Sequence, residues 1–156
     1  MTDPVERGGT MPSMPDILIF SPDRQLEAVV EVKNRRNAGE EWAIQFRRNL
    51  LAHGLIPPVE YFLLVFPDTV YLWRGTEAEQ PVTSVPTPEA LGRFFDVLPA
   101  GSSSETSLEL VVSSWLQTLT AASMTEEESA EVAKWLVDAG LYERIRGGHV
   151  ERRTAA

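Results

Sequence analysis

Three observations make this sequence an α/β protein. Two apolar, β-branched runs near its start are joined by a Ser-Pro-Asp-Arg turn, a segment of helical periodicity follows them, and a second pair of strand-like runs comes after that. Together they predict a ββαββ core over residues 15–74. A Gly/Pro-bearing segment, residues 1–14, precedes it and is expected to be flexible, and an acidic helical extension, residues 75–156, is expected to pack on it. At 156 residues, with 43% apolar and 24% charged, the chain can bury one core and has neither disordered nor low-complexity composition.

The first run, Asp16-Ile17-Leu18-Ile19-Phe20, ends at Ser21-Pro22-Asp23-Arg24, where Pro and Asp suit the early positions of a tight turn. The second, Leu26-Glu27-Ala28-Val29-Val30-Glu31-Val32-Lys33, is rich in β-branched residues and should return antiparallel to the first. From residue 40 to 53, Trp42, Phe46 and Leu50 recur at helical spacing, and Gly54 is placed to close the helix. Residues 60–66 are nearly all apolar, Pro67-Asp68 makes a turn, and Thr69-Val70-Tyr71-Leu72-Trp73-Arg74 returns as the partner strand.

Residues 75–88 hold three prolines and no periodicity, which predicts a loop. Three helix signals follow: Thr87-Pro88-Glu89 as an N-cap with Pro in the first turn, an apolar stripe at Leu108, Val111, Val112, Trp115, Leu116 and Leu119, and a capping box at Thr125 and Glu128. Gly140 should end the last helix, and residues 141–152 around Gly147-Gly148 suggest a small hairpin.

Composition narrows the chemistry. Without cysteine there is no disulfide scaffold, thiolate zinc site or cysteine nucleophile, and two histidines without ligand spacing offer no zinc site. The start lacks the basic and apolar regions of a signal peptide, and no apolar run is long enough to cross a bilayer. A cytoplasmic protein without membrane contact is expected. Fourteen cations against 23 anions give a net charge of −9, which argues against a nonspecific nucleic-acid coat. The charges are uneven, however: residues 24–53 carry six cations against four anions, and residues 76–143 two against twelve.

A turn centred between Asp23 and Arg24 makes antiparallel partners sum to 47, which sets Asp16 across from Glu31 and Ile17 across from Val30. Opposed residues share a face, and Lys33, two beyond Glu31, shares it too. Ile17, Ile19, Ala28, Val30 and Val32 then hold the other face against a core. Two carboxylates drawn together repel unless a cation lies between them, and Mg²⁺ prefers one or two carboxylates with waters and substrate phosphate around it.

The pattern Pro15-Asp16, fourteen intervening residues, then Glu31-Val32-Lys33 resembles the PD-(D/E)xK, or restriction-endonuclease-like, nuclease superfamily. Trp42-Ala43-Ile44-Gln45-Phe46-Arg47-Arg48-Asn49-Leu50-Leu51-Ala52-His53-Gly54, followed by Tyr61-Phe62-Leu63-Leu64-Val65, looks like small bacterial predicted nucleases of that superfamily. The resemblance covers residues 15 to about 74 and implies a restriction-endonuclease-like mixed sheet. It gives Asp16 and Glu31 as Mg²⁺ ligands, the Val32 backbone carbonyl as a further ligand, Lys33 as the residue that orients the attacking water, and Gln45 as a fourth catalytic residue on the helix. Family cores begin with a helix and a strand before the aspartate. Residues 1–14 suit neither, which leaves three expectations open: a truncated chain, a core completed by a second copy or a partner subunit, or a degenerate member.

The implied activity is that of a Mg²⁺-dependent endonuclease, with Mn²⁺ as substitute and DNA as the expected substrate. Arg35, Arg36, Arg47 and Arg48 could meet the flanking phosphates. The alternative is a noncatalytic nuclease-fold module that acts through protein contacts of its helical tail. Taken singly the residues have plainer readings: Glu-x-Lys as a cross-strand ion pair, Gln45 and Arg47-Arg48 as a solvated helix face, and His53 beside the helix C-terminus.

Overall fold

The structure, a computed structural model, describes residues 15–97, 105–121 and 134–153. The expected flexible start and the Thr125/Glu128 capping box lie outside the described residues.

Strands β1 (Ile17–Phe20) and β2 (Leu26–Val32) form the first hairpin. The register is the expected one, with Ile17 opposite Val30, Leu18 opposite Val29 and Ile19 opposite Ala28, before it slips at Phe20. The turn is closed by Ser21, whose carbonyl accepts the Arg24 N–H at 2.9 Å and whose N–H donates to the Gln25 carbonyl at 2.9 Å. Helix α1 (Gly39–Ala52) follows and turns Ala43, Arg47 and Leu50 inward. It ends at Gly54, which has φ 65° and donates its N–H to the Leu51 carbonyl at 3.1 Å, a left-handed closure that glycine adopts without a Cβ penalty. α1 carries the chain across to β3 (Tyr61–Val65), which pairs parallel with β2, as a helical crossover allows. β4 (Thr69–Arg74) then returns antiparallel to β3.

The extension departs from expectation. Besides helices it supplies both edge strands: β5 (Thr83–Pro86) pairs with β4, and β6 (His149–Arg152) pairs antiparallel with β1. The complete sheet is mixed, in the order β5-β4-β3-β2-β1-β6. Part of the predicted 75–88 loop is therefore strand, and the prolines are tolerated because β5 lies at an edge, where a missing N–H costs no ladder bond. The predicted 141–152 hairpin is instead a short helix leading into β6. Gly148 makes that possible, because a Cβ there would collide with the Phe20 carbonyl.

The helices of the extension are α2 (Thr87–Leu91), α3 (Glu105–Thr120), α4 (Lys134–Asp138) and α5 (Leu141–Ile145), with a 3₁₀ segment at Gly92–Val97. Thr87 is not the cap its sequence context suggests. It is wholly buried, and its hydroxyl donates to the Phe66 carbonyl at 2.6 Å, fastening α2 to the sheet. Gly140, at φ 86°, separates α4 from α5.

Two apolar layers result. On one face, Ile17, Ile19, Ala28, Val30 and Val32 pack with all six stripe residues of α3. On the other, Val29, Phe62, Leu64, Tyr71 and Trp73 pack with Ala43 and Leu50 of α1. Among the described residues no helix is long and apolar enough to cross a membrane.

Candidate active site

The β1–β2 register decides where the carboxylates go. Leu18 and Val29 belong to the α1-side layer. Side chains alternate along a strand, so Asp16, Glu31 and Lys33 share that face. Asp16 sits one step before the first ladder pair and is held there by its own side chain, whose Oδ2 accepts the Val32 N–H at 2.8 Å. The Asp16 N–H in turn donates to the Glu31 carboxyl. Each acid is thus pinned by the backbone of the other's strand.

Glu31 is only 7% exposed. Burial, and after it the neighbouring Asp16 charge, pushes its carboxyl up to about 8, against the opposing pull of Lys33, the Asp16 N–H and Arg153. Burial of the Glu31 carboxylate and its repulsion with Asp16 are both costs that a divalent cation between the two acids would relieve. In an extended strand the N–H and C=O of one residue point to the same edge, so the Val32 carbonyl faces Asp16 as its N–H does. Two carboxylates and one carbonyl fit Mg²⁺, which keeps waters in its other positions. Among the described residues no group of three or more His, Asp or Glu is placed to hold a metal, so any ion here would rest on this two-acid set.

Lys33 is half-buried at the end of β2. Its N–H donates to the Val65 carbonyl at 2.9 Å, and its ammonium lies 5.3 Å from the centre of the Phe46 ring on α1. Arg35 stacks over Trp42 at 4.6 Å, and both Arg35 and Arg36 are exposed on the loop that follows. That loop is anchored where Asn37 donates its N–H to Asp68 Oδ2 at 2.9 Å.

The other residues named from sequence lie elsewhere. Gln45 does not join the acids. It is two positions from both Ala43 and Arg47, about 160° round the helix from the sheet-facing line, and it bonds Asn49 at 3.1 Å and Arg48 at 3.4 Å on the outer surface. Arg47, expected at phosphate, is instead buried. Its guanidinium donates to the carbonyls of Ala78 at 2.7 Å and Gly75 at 3.1 Å and lies 5.4 Å from the Trp73 ring, and burial lowers its pKa from the ordinary arginine value. The signal that could have shown this is the 43–47–50 spacing, which places Arg47 on the inward stripe. Arg48 is exposed and paired with Glu79 at 3.1 Å. His53 donates from Nδ1 to the Asn49 carbonyl at 2.8 Å, a capping role at the helix end.

One neighbour of the acids was not assigned to their site from sequence. Arg153 reaches them from the far end of the chain, its N–H donating to the Asp16 carbonyl at 2.9 Å.

No protein-family model, curated protein or solved structure matches this chain.

Proposed function

We propose that the protein is a metal-dependent nuclease of restriction-endonuclease-like fold that hydrolyses phosphodiester bonds, DNA in the first instance. The observation that carries this reading is the reciprocal pinning of Asp16 and Glu31 on one face of a hairpin, with Lys33 beside them. Mg²⁺, or Mn²⁺ in its place, would polarise a phosphate oxygen and ease deprotonation of the attacking water.

The chain's own residues do the rest. Asp16 and Glu31 would hold the ion through carboxylates that backbone hydrogen bonds keep in place. Lys33, braced against Phe46, donates a hydrogen bond that orients the water. The water oxygen bonds to phosphorus as a P–O ester bond breaks, the proton of the attacking water passes to bulk solvent, and the departing alkoxide takes up a proton from solvent. Arg35 and Arg36, exposed beyond Lys33, can meet flanking phosphates without reading bases.

The shape of the extension also supports this reading over a noncatalytic docking role. The apolar stripe of α3 is spent on covering the sheet, and the only exposed large apolar side chains among the described residues are Val82 and Leu110. The acids, Lys33 and the strand flanking β1 all come from one chain.

Purified protein is expected to nick supercoiled plasmid with Mg²⁺ or Mn²⁺ and to stop when EDTA is added. Asp16→Asn and Lys33→Ala should keep the wild-type circular dichroism spectrum and lose nicking by roughly 100-fold or more. Wild-type protein that leaves plasmid intact with both metals, and gives no heat of metal binding in calorimetry, would end this reading.

A further inference from the structure

The β1–β6 ladder pairs Ile17 with Arg152, Leu18 with Glu151 and Ile19 with Val150. One step further in the same antiparallel register, Arg153 stands opposite Asp16, and the 2.9 Å bond from its N–H to the Asp16 carbonyl fixes it there. Neighbouring residues of a strand point to opposite faces. Arg152 takes the α3 face, where its Nε reaches Glu109 Oε2 at 2.7 Å. Arg153 therefore takes the face of the acids, and it is exposed. Across three adjacent strands Arg153, Asp16 and Glu31 form one row, with Lys33 two residues beyond Glu31. The arginine's influence on the Glu31 carboxyl is consistent with that placement.

We propose that Arg153 is a substrate-contact residue that binds the phosphate backbone at this site. The inference rests on the nuclease reading above. Its physical basis is charge and shape. One divalent ion balances the two carboxylates, so an incoming phosphodiester brings a negative charge that Lys33 and Arg153 remain to meet. A guanidinium also offers phosphate a planar, bidentate fork that an ammonium cannot. The C-terminal strand is then part of the site and not only an edge to the sheet, which ties completion of the fold to substrate binding.

The test uses full-length protein and a fluorescein-labelled DNA duplex, read by anisotropy with Ca²⁺ in place of Mg²⁺ over a range of salt, beside plasmid nicking in Mg²⁺. Arg153→Ala should weaken duplex binding about ten-fold and lower the slope of log affinity against log salt by about one, while Arg153→Lys keeps the slope near wild type. Arg152→Gln, one residue away on the opposite face, should lower the melting temperature and leave affinity and slope unchanged. If wild-type protein nicks plasmid but Arg153→Ala matches it in affinity and slope, the Arg153 assignment is overturned and the nuclease reading stands. If wild-type protein neither binds nor nicks, both are overturned.

Discussion

The two faces of the β6–β1–β2 end of the sheet are built from the same strands and do opposite things. On the α3 face, Ile17, Ile19, Ala28, Val30 and Val32 are buried in one cluster with Val112, Trp115 and Leu119, and the partly buried Val150 packs against it. On the α1 face, alternate residues of those strands bring up Asp16, Glu31 and Arg153, with Lys33 at the end of β2. The apolar cover on that side is densest over β3 and β4, at Phe62, Leu64, Tyr71 and Trp73. The lesson is one of register. A one-residue slip would swap every side chain between faces, so the burial that fixes the apolar set also fixes where the acids stand. Packing on one face sets how accurately the acids are placed on the other.

Substitutions on the two faces should then separate stability from activity. Trp115 is wholly buried and stacks on Trp135 with ring centres 5.9 Å apart. Trp115→Ala is expected to cost roughly 3–5 kcal/mol in urea unfolding. Lys33→Ala removes a half-buried ammonium over an aromatic ring and should cost only about 1 kcal/mol while abolishing nicking. The contrast fails if Lys33→Ala unfolds at as low a urea concentration as Trp115→Ala.

The acid pair should leave a signature in the pH dependence of stability. Glu31 ionises near 4.5 in the unfolded chain and near 8 in the folded one. Between those values the folded state holds a proton that the unfolded state has released. Its contribution is therefore complete below pH 4.5 and is lost as pH rises through 8, at about 1.4 kcal/mol per pH unit for one proton. Asp16, Lys33 and Arg153 all face this carboxyl, so the slope belongs to the cluster. Glu31→Gln should flatten it, and unfolding of the variant and the wild type in EDTA should diverge by about 5 kcal/mol between pH 4.5 and pH 9, with the variant the more stable. Mg²⁺ should narrow that gap by stabilising the ionised wild-type pair. Parallel pH profiles for the two proteins would mean that Glu31 is not confined beside Asp16.

The site was legible where the chain is local. Asp16 and Glu31 lie on one hairpin whose turn residues fix the pairing sum, and the 3.6-residue period exposed α1 and the stripe of α3. The pairing of β6 with β1, and with it the place of Arg153 beside the acids, was not legible, because β1 lies far away in sequence and a four-residue edge strand has too few residues to display a period. β5 was hidden by its prolines, which are breakers everywhere except at an edge. Gln45 went astray for another reason: a family pattern supplies a position in sequence, while the face a helix presents is set by which residues it buries.

The same reasoning applied to Arg47 and Arg48 gives the smallest and sharpest contrast. Adjacent residues on a helix point about 100° apart, and here that step separates an interior clamp from a surface ion pair. Arg47 holds the 75–78 loop by two backbone carbonyls, and truncating it would leave the part-buried Ala78 carbonyl without its donor, while that of Gly75 keeps the Ala78 N–H. Arg47→Ala should therefore lower stability by about 2 kcal/mol and open the segment around Gly75 and Ala78 to proteolysis, with no change in the salt dependence of DNA binding. Arg48 and Glu79 are both largely exposed, and pairs of that kind contribute about 0–1 kcal/mol. Arg48→Ala should shift the urea midpoint little, and the shift should vanish in high salt as screening removes the pair. If the two variants proved equally mild, the guanidinium of Arg47 would not be the fastening of that loop.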